Sequence, residues 1–118
     1  MRSNNVTFEK SKVFAIRIVN LYKFLTDEKK EFVMAKQILK SGTSIGANLA
    51  EAMYGISKND FLAKLFISLK ECSETKYWLE LLNKTDYISD TEYKSLDNDC
   101  TEILKLLISS ARTASKKE

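Results

Sequence analysis

Residues 89–114 read SDTEYKSLDNDCTEILKLLISSARTA, and their spacing decides the fold class. Tyr93, Leu96, Cys100, Ile103, Leu104, Leu107, Ala111 and Ala114 recur at the 3 and 4 spacing of one helical face. Ser89-Asp90-Thr91-Glu92 fits a capping box, in which the Ser and Glu side chains satisfy reciprocal backbone N–H groups, so the helix starts there. Ser115 to Glu118 are expected to fray.

Working back along the chain gives three more helices. The first, over about 8–26, has Phe14, Ile18, Leu21, Tyr22 and Leu25 on one face, with Val13, Ile16 and Phe24 on another sector. The polar segment Thr26 to Lys30 connects it to the second, over about 31–55. There Met34, Ile38, Ile45, Leu49, Ala52 and Met53 form the apolar face, and Ala35, Gly42, Gly46 and Ala50 form a ridge of small side chains. Glycine inside a helix costs about 0.5–1 kcal/mol against alanine, so Gly42 and Gly46 call for a neighbouring helix at close range. A phosphate cradle is disfavoured, because no strand precedes these glycines and no Lys follows in P-loop spacing. The third helix, over about 58–84, is capped by Ser57 with Asp60 in its first turn. Its core stripe is Phe61, Leu62, Leu65, Phe66, Leu69, Cys72 and Leu79, and a second apolar sector carries Ala63, Ile67, Trp78 and Leu81.

Four helices with short connections, over about 8–26, 31–55, 58–84 and 90–114, make an all-α, up-down-up-down antiparallel four-helix bundle spanning 1–118 as a single domain. Composition agrees: zero Pro and three Gly leave few places to break a helix. Zero His removes histidine-based triads, His-rich zinc sites and the Glu-x-x-His ligands of di-iron bundles, and no cofactor is expected. Cys72 and Cys100 are too few for a disulfide framework and read as buried thiols. No apolar run approaches a membrane span, and residues 1–10 lack a secretory pattern, so a cytoplasmic location is expected. The second apolar sectors on the first and third helices predict a homo-oligomer that covers them.

One stretch carries a resemblance. Residues 37–52, QILKSGTSIGANLAEA, followed by Ser57-Lys58-Asn59-Asp60-Phe61 and Leu69-Lys70-Glu71-Cys72-Ser73-Glu74-Thr75, resemble the bacterial four-helix-bundle family of 23S rRNA intervening-sequence proteins. Relatives of that family include the accessory variability determinant of diversity-generating retroelements. Lys40 stands where the family commonly has Arg, which keeps the charge and loses the bidentate fork. The resemblance implies a bundle encoded within rRNA-gene insertions or as a small separate gene. The retroelement relative implies more: a pentameric ring, binding to RNA or DNA, and a reverse transcriptase as partner.

Charge is unevenly placed. Residues 1–58 hold ten basic and five acidic groups, and residues 59–118 hold nine and eleven. Arg2, Lys29 and Lys30, with the candidate contacts Lys10, Lys12, Arg17, Lys23, Lys36 and Lys40, make a basic half able to contact phosphates. The same groups also suit a plain solvated surface. Gln37, Ser41, Ser44, Asn48 and Glu51 form a polar ladder on the second helix. It reads as a structural network fixing helix register, with Lys64, Lys70, Glu71 and Glu74 as partners, or else as a functional surface. A non-enzymatic, oligomeric, nucleic-acid-binding or nucleoprotein-binding bundle is the leading reading, and a pure protein-interaction bundle is the alternative. A third reading takes Glu71-x-x-Glu74 and Asp99-x-x-Glu102 as facing carboxylate pairs holding Mg²⁺, as in all-α nucleotide pyrophosphatases.

Overall fold

The computed structural model describes residues 2–116. Helices α1 (Arg2–Asp27), α2 (Val33–Met53), α3 (Lys58–Lys84) and α4 (Asp90–Lys116) run alternately up and down in a body of 49 × 21 × 19 Å. Each helix packs on its sequence neighbours, and α1 returns to close on α4. The α2–α3 pair is the most intimate contact, and α1–α4 the loosest. Among the described residues there is no strand, and no helix is long and apolar enough to cross a membrane.

The core stripes converge as their spacing demands. Phe14, Ile18, Leu21 and Leu25 from α1 meet Ile38, Ile45 and Leu49 from α2, Leu65, Cys72 and Leu79 from α3, and Leu96, Cys100, Ile103 and Leu107 from α4. The small ridge of α2 faces α1. A Cβ on Gly46 would stand 2.8 Å from Ser11 Oγ, so α1 is the close neighbour the glycines require. Cys72 and Cys100 are both buried, and the Cys100 thiol donates to the Cys72 carbonyl at 3.6 Å. The adjoining Cys100 side chain, with burial adding to it, raises the Cys72 thiol above the ordinary thiol range.

Several boundaries and faces differ from the sequence expectation. Helix α1 begins a turn and a half early, because the core face continues through Thr7 and Ser11, small polar residues that an apolar count passes over. Helix α2 starts at Val33, where the Glu31 carboxylate accepts from Ala35 N–H at 2.9 Å and from Val33 N–H at 3.3 Å. Helix α4 stays helical through Lys116, while Lys117 and Glu118 lie outside the described residues. Phe66 points outward rather than into the core, since it sits 100° round the helix from Leu65. Met53, placed on the apolar face, is at the exposed edge. Trp78 is half-buried against the core, and its Nε1 donates to Glu74 at 3.1 Å.

The caps at Ser57 and Ser89 form. Ser57 Oγ accepts from Asp60 N–H and Ser89 Oγ from Glu92 N–H, each at 3.1 Å. The Glu92 carboxylate, however, engages Arg17 across the bundle. The α1–α2 and α3–α4 loops each turn on a left-handed residue that is not glycine, Lys30 (φ 55°) and Asp86 (φ 67°). At the second, Tyr87 N–H donates to the Leu82 carbonyl at 2.9 Å, the closure typical of a helix ending in a left-handed residue.

Candidate nucleic-acid interface

The basic first half and the acidic second half of the chain meet where α1 lies beside α4. Arg17 reaches Asp99 at 2.6 Å, Glu92 at 3.1 Å and Ser95 Oγ at 3.0 Å, and Lys10 reaches Glu102 at 3.2 Å. The Lys10 and Arg17 pairs lie two turns apart on α1 and link the loosest side of the bundle. Arg17 also forms one wall of an open cleft of about 870 Å³, whose opposite side is the α3–α4 turn with Asp86, Tyr87 and Asp90. Of the six candidate contacts, Lys10 and Arg17 are thus already neutralised by carboxylates.

The other four are placed differently. Lys12, Lys23, Lys36 and Lys40 are exposed on the outward sides of α1 and α2. Lys12 and Lys23 stand three turns apart and nearly in line, and Lys36 and Lys40 are one turn apart. The contacts of Gly42 with Ile18 and of Gly46 with Ser11 fix the antiparallel register, which brings Lys23 level with the turn carrying Lys36. Lys12 makes one long pair with its own helix, Glu9 at 3.8 Å, and lies 5.4 Å from the Phe8 ring centre. Among the described residues no ion pair involves Lys23, Lys36 or Lys40. The side chain of Arg2 lies outside the described residues.

The polar ladder of α2 is divided by the fold. Ser41 alone is buried, where the Thr75 hydroxyl donates to its Oγ at 2.9 Å. Ser44 and Asn48 are half-buried and turn back on their own helix, donating to the carbonyls of Lys40 and Ser44. Gln37 is exposed, and so is Glu51, which pairs with Lys64 at 2.7 Å. The buried polar links between α2 and α3 are Ser41 with Thr75, and Ser68, whose Oγ donates to the Ile45 carbonyl at 2.9 Å. Neither Ser68 nor Thr75 stood out in sequence, because short hydroxyl side chains in a core stripe read as interruptions. Lys76 is another residue without a sequence signal: it bridges α3 to α4 through Asp97 at 2.7 Å and Thr101 Oγ1 at 2.5 Å.

The facing carboxylate pairs of the pyrophosphatase reading do not form. Asp99 and Glu102 are turned to α1, and Glu74 holds the Trp78 indole. Among the described residues no group of three or more Cys, Asp or Glu is placed to hold a metal ion.

An antiparallel four-helix bundle with a glycine-tightened α1–α2 contact, a salt-bridged α1–α4 seam and exposed lysines on its outer wall is the class of protein these residues define. The profile of the family described as 23S rRNA-intervening sequence protein matches residues 3–109, and the chain belongs to that family. A crystal structure of a protein of unknown function from the S23 ribosomal protein family of Bacteroides thetaiotaomicron is similar over 93% of this chain and 98% of its own, with 61% identity and a TM-score of 0.92. No curated protein matches the chain.

Proposed function

We propose that the chain is a non-enzymatic, cytoplasmic bundle that binds nucleic acid, or a nucleoprotein containing it, through phosphate contacts from the outward faces of α1 and α2. The observation that carries this reading is the sorting of the basic groups. Lys10 and Arg17 are tied to α4, whereas Lys12, Lys23, Lys36 and Lys40 are held out in solvent on two adjoining helices. Four cations on one wall attract a polyanion and release its counterions, with no base-reading element required. The family's tie to rRNA genes makes RNA the first ligand to test, with DNA beside it. Fluorescence anisotropy with labelled RNA and DNA duplexes at low salt tests the reading, and an absence of binding there would leave the protein-interaction alternative.

Self-association is the second reading, favoured by exposed apolar side chains on two separate patches. Ile16 is 63% exposed on α1, and Tyr54 and Ile56 are 88% and 97% exposed at the α2–α3 loop. Two different patches that complement each other give a head-to-tail contact, which closes into a ring when the rotation permits. The resemblance to the retroelement relative sets five as the expected number of subunits. Such a ring repeats the lysine wall and raises affinity for one long strand. Light scattering after size exclusion measures the number directly.

A further inference from the structure

The outward side of α3 carries a line of side chains that neither the core nor the lysine wall uses. Asn59, Phe66, Lys70, Ser73, Tyr77 and Lys84 fall within about 60° of one another around the helix. All six are exposed, Phe66 by 54% and Tyr77 by 57%. Rings and ammonium groups therefore alternate along the stripe, with Phe66 and Tyr77 about 16 Å apart and Lys70 between them. No carboxylate lies in the line, although Glu74 and Glu80 border it on either side. The Tyr77 ring meets Trp78 edge-on, at 4.9 Å between centres and 76° between planes, so a neighbour braces it from the side.

We infer that this stripe is a stacking platform for unpaired bases of a single strand, a second site distinct from the α1–α2 lysines. It rests on the reading that the chain binds nucleic acid. Every base has a π-face and every linkage a phosphate, so aromatic rings interleaved with lysines suit a single strand regardless of sequence. A duplex hides its base faces and gains nothing from the rings. A helix from a second copy would instead be met by a continuous apolar line, which Asn59, Lys70, Ser73 and Lys84 interrupt. The bordering glutamates keep phosphates on the stripe rather than beside it.

The test compares a labelled oligo-uridine strand with an RNA duplex of equal length, using the wild-type chain, Phe66→Leu/Tyr77→Leu, and Lys12→Gln/Lys23→Gln/Lys36→Gln/Lys40→Gln. Leucine keeps the apolar bulk and removes the π-face. The aromatic double variant is expected to lose about tenfold or more in affinity for the single strand, in line with alanine data on stacked bases, while duplex binding stays within about twofold. The single strand should also quench Trp78, the only tryptophan, in the wild type. The lysine variant should lose affinity for both ligands. Single-strand affinity unchanged in the aromatic variant overturns the platform, and so does an equal loss on both ligands. A smaller assembly of Phe66→Leu alone by light scattering assigns the stripe to a copy-to-copy interface and likewise overturns it. Duplex binding that persists without single-strand binding in the wild type removes the platform and spares the lysine wall, whereas binding of neither removes both.

Discussion

A Cβ placed on Gly42 would stand 2.8 Å from Cγ1 and 2.9 Å from Cγ2 of Ile18, closer than side chains pack. Ile18 is fully buried and branched at Cβ, so it cannot swing aside. At Gly46 the obstacle is Ser11 Oγ, a single atom that can rotate only by giving up its 2.6 Å bond to the Phe8 carbonyl, a loss that offsets the gain in helix propensity. Gly42→Ala gains about 1 kcal/mol of helix propensity against an overpacking cost of about 1–3 kcal/mol, and a net loss is expected. Gly46→Ala should be near neutral. Urea unfolding of the two variants and of Gly42→Ala/Ile18→Ala, in which the clash is relieved, measures the difference.

The buried hydroxyls between α2 and α3 should matter more than the exposed end of the ladder. Ser68→Ala removes a buried hydrogen bond to the Ile45 carbonyl and is expected to cost about 1 kcal/mol. Glu51→Ala removes an ion pair with Lys64 in which the Glu51 side chain is largely in solvent, and should stay within about 0.5 kcal/mol. Thermal melts of both variants check the order, which is the reverse of what the ladder's spacing alone implies.

Lys30 takes a left-handed conformation that side chains other than glycine disfavour by about 1–2 kcal/mol. Lys30→Gly should therefore stabilise the fold, by about 0.5–1 kcal/mol after the added freedom of the unfolded chain is subtracted. The check is a rise in the midpoint of urea unfolding with an unchanged slope.

Cys72 and Cys100 should react with thiol reagents only when the bundle opens. Both are buried, and the adjoining Cys100 side chain and burial raise the Cys72 thiol and disfavour its thiolate. Labelling followed by mass spectrometry is expected to track global unfolding across a urea series. Fast labelling of native protein would show a local opening of the α3–α4 contact.

Much of this was legible in sequence, and the exceptions have physical causes. The stripe from Tyr93 to Ala114 fixed α4, and Gly42 and Gly46 announced a close neighbour, because periodicity and glycine cost are local properties. The face of Phe66 was not legible, since α3 is apolar on two sides and spacing alone cannot choose between them. The partners of Arg17 lie 75 and 82 residues away, and no local pattern joins them. Six cations looked equivalent along the chain, and only the return of α1 against α4 separates the two that are tied to another helix from the four that are not.

The most direct measurement is the slope of log affinity against log salt for an RNA duplex, because each lysine that meets a phosphate adds about 0.9 to its magnitude. Lys12→Gln/Lys23→Gln/Lys36→Gln/Lys40→Gln is expected to flatten the slope by about 2–4. Lys10→Gln/Arg17→Gln, which touches groups already held by Glu102, Asp99 and Glu92, should leave it near the wild-type value. A slope that survives the loss of all four exposed lysines, or one that collapses on loss of the paired Lys10 and Arg17, would contradict the placement of the phosphate contacts on the outer wall of α1 and α2.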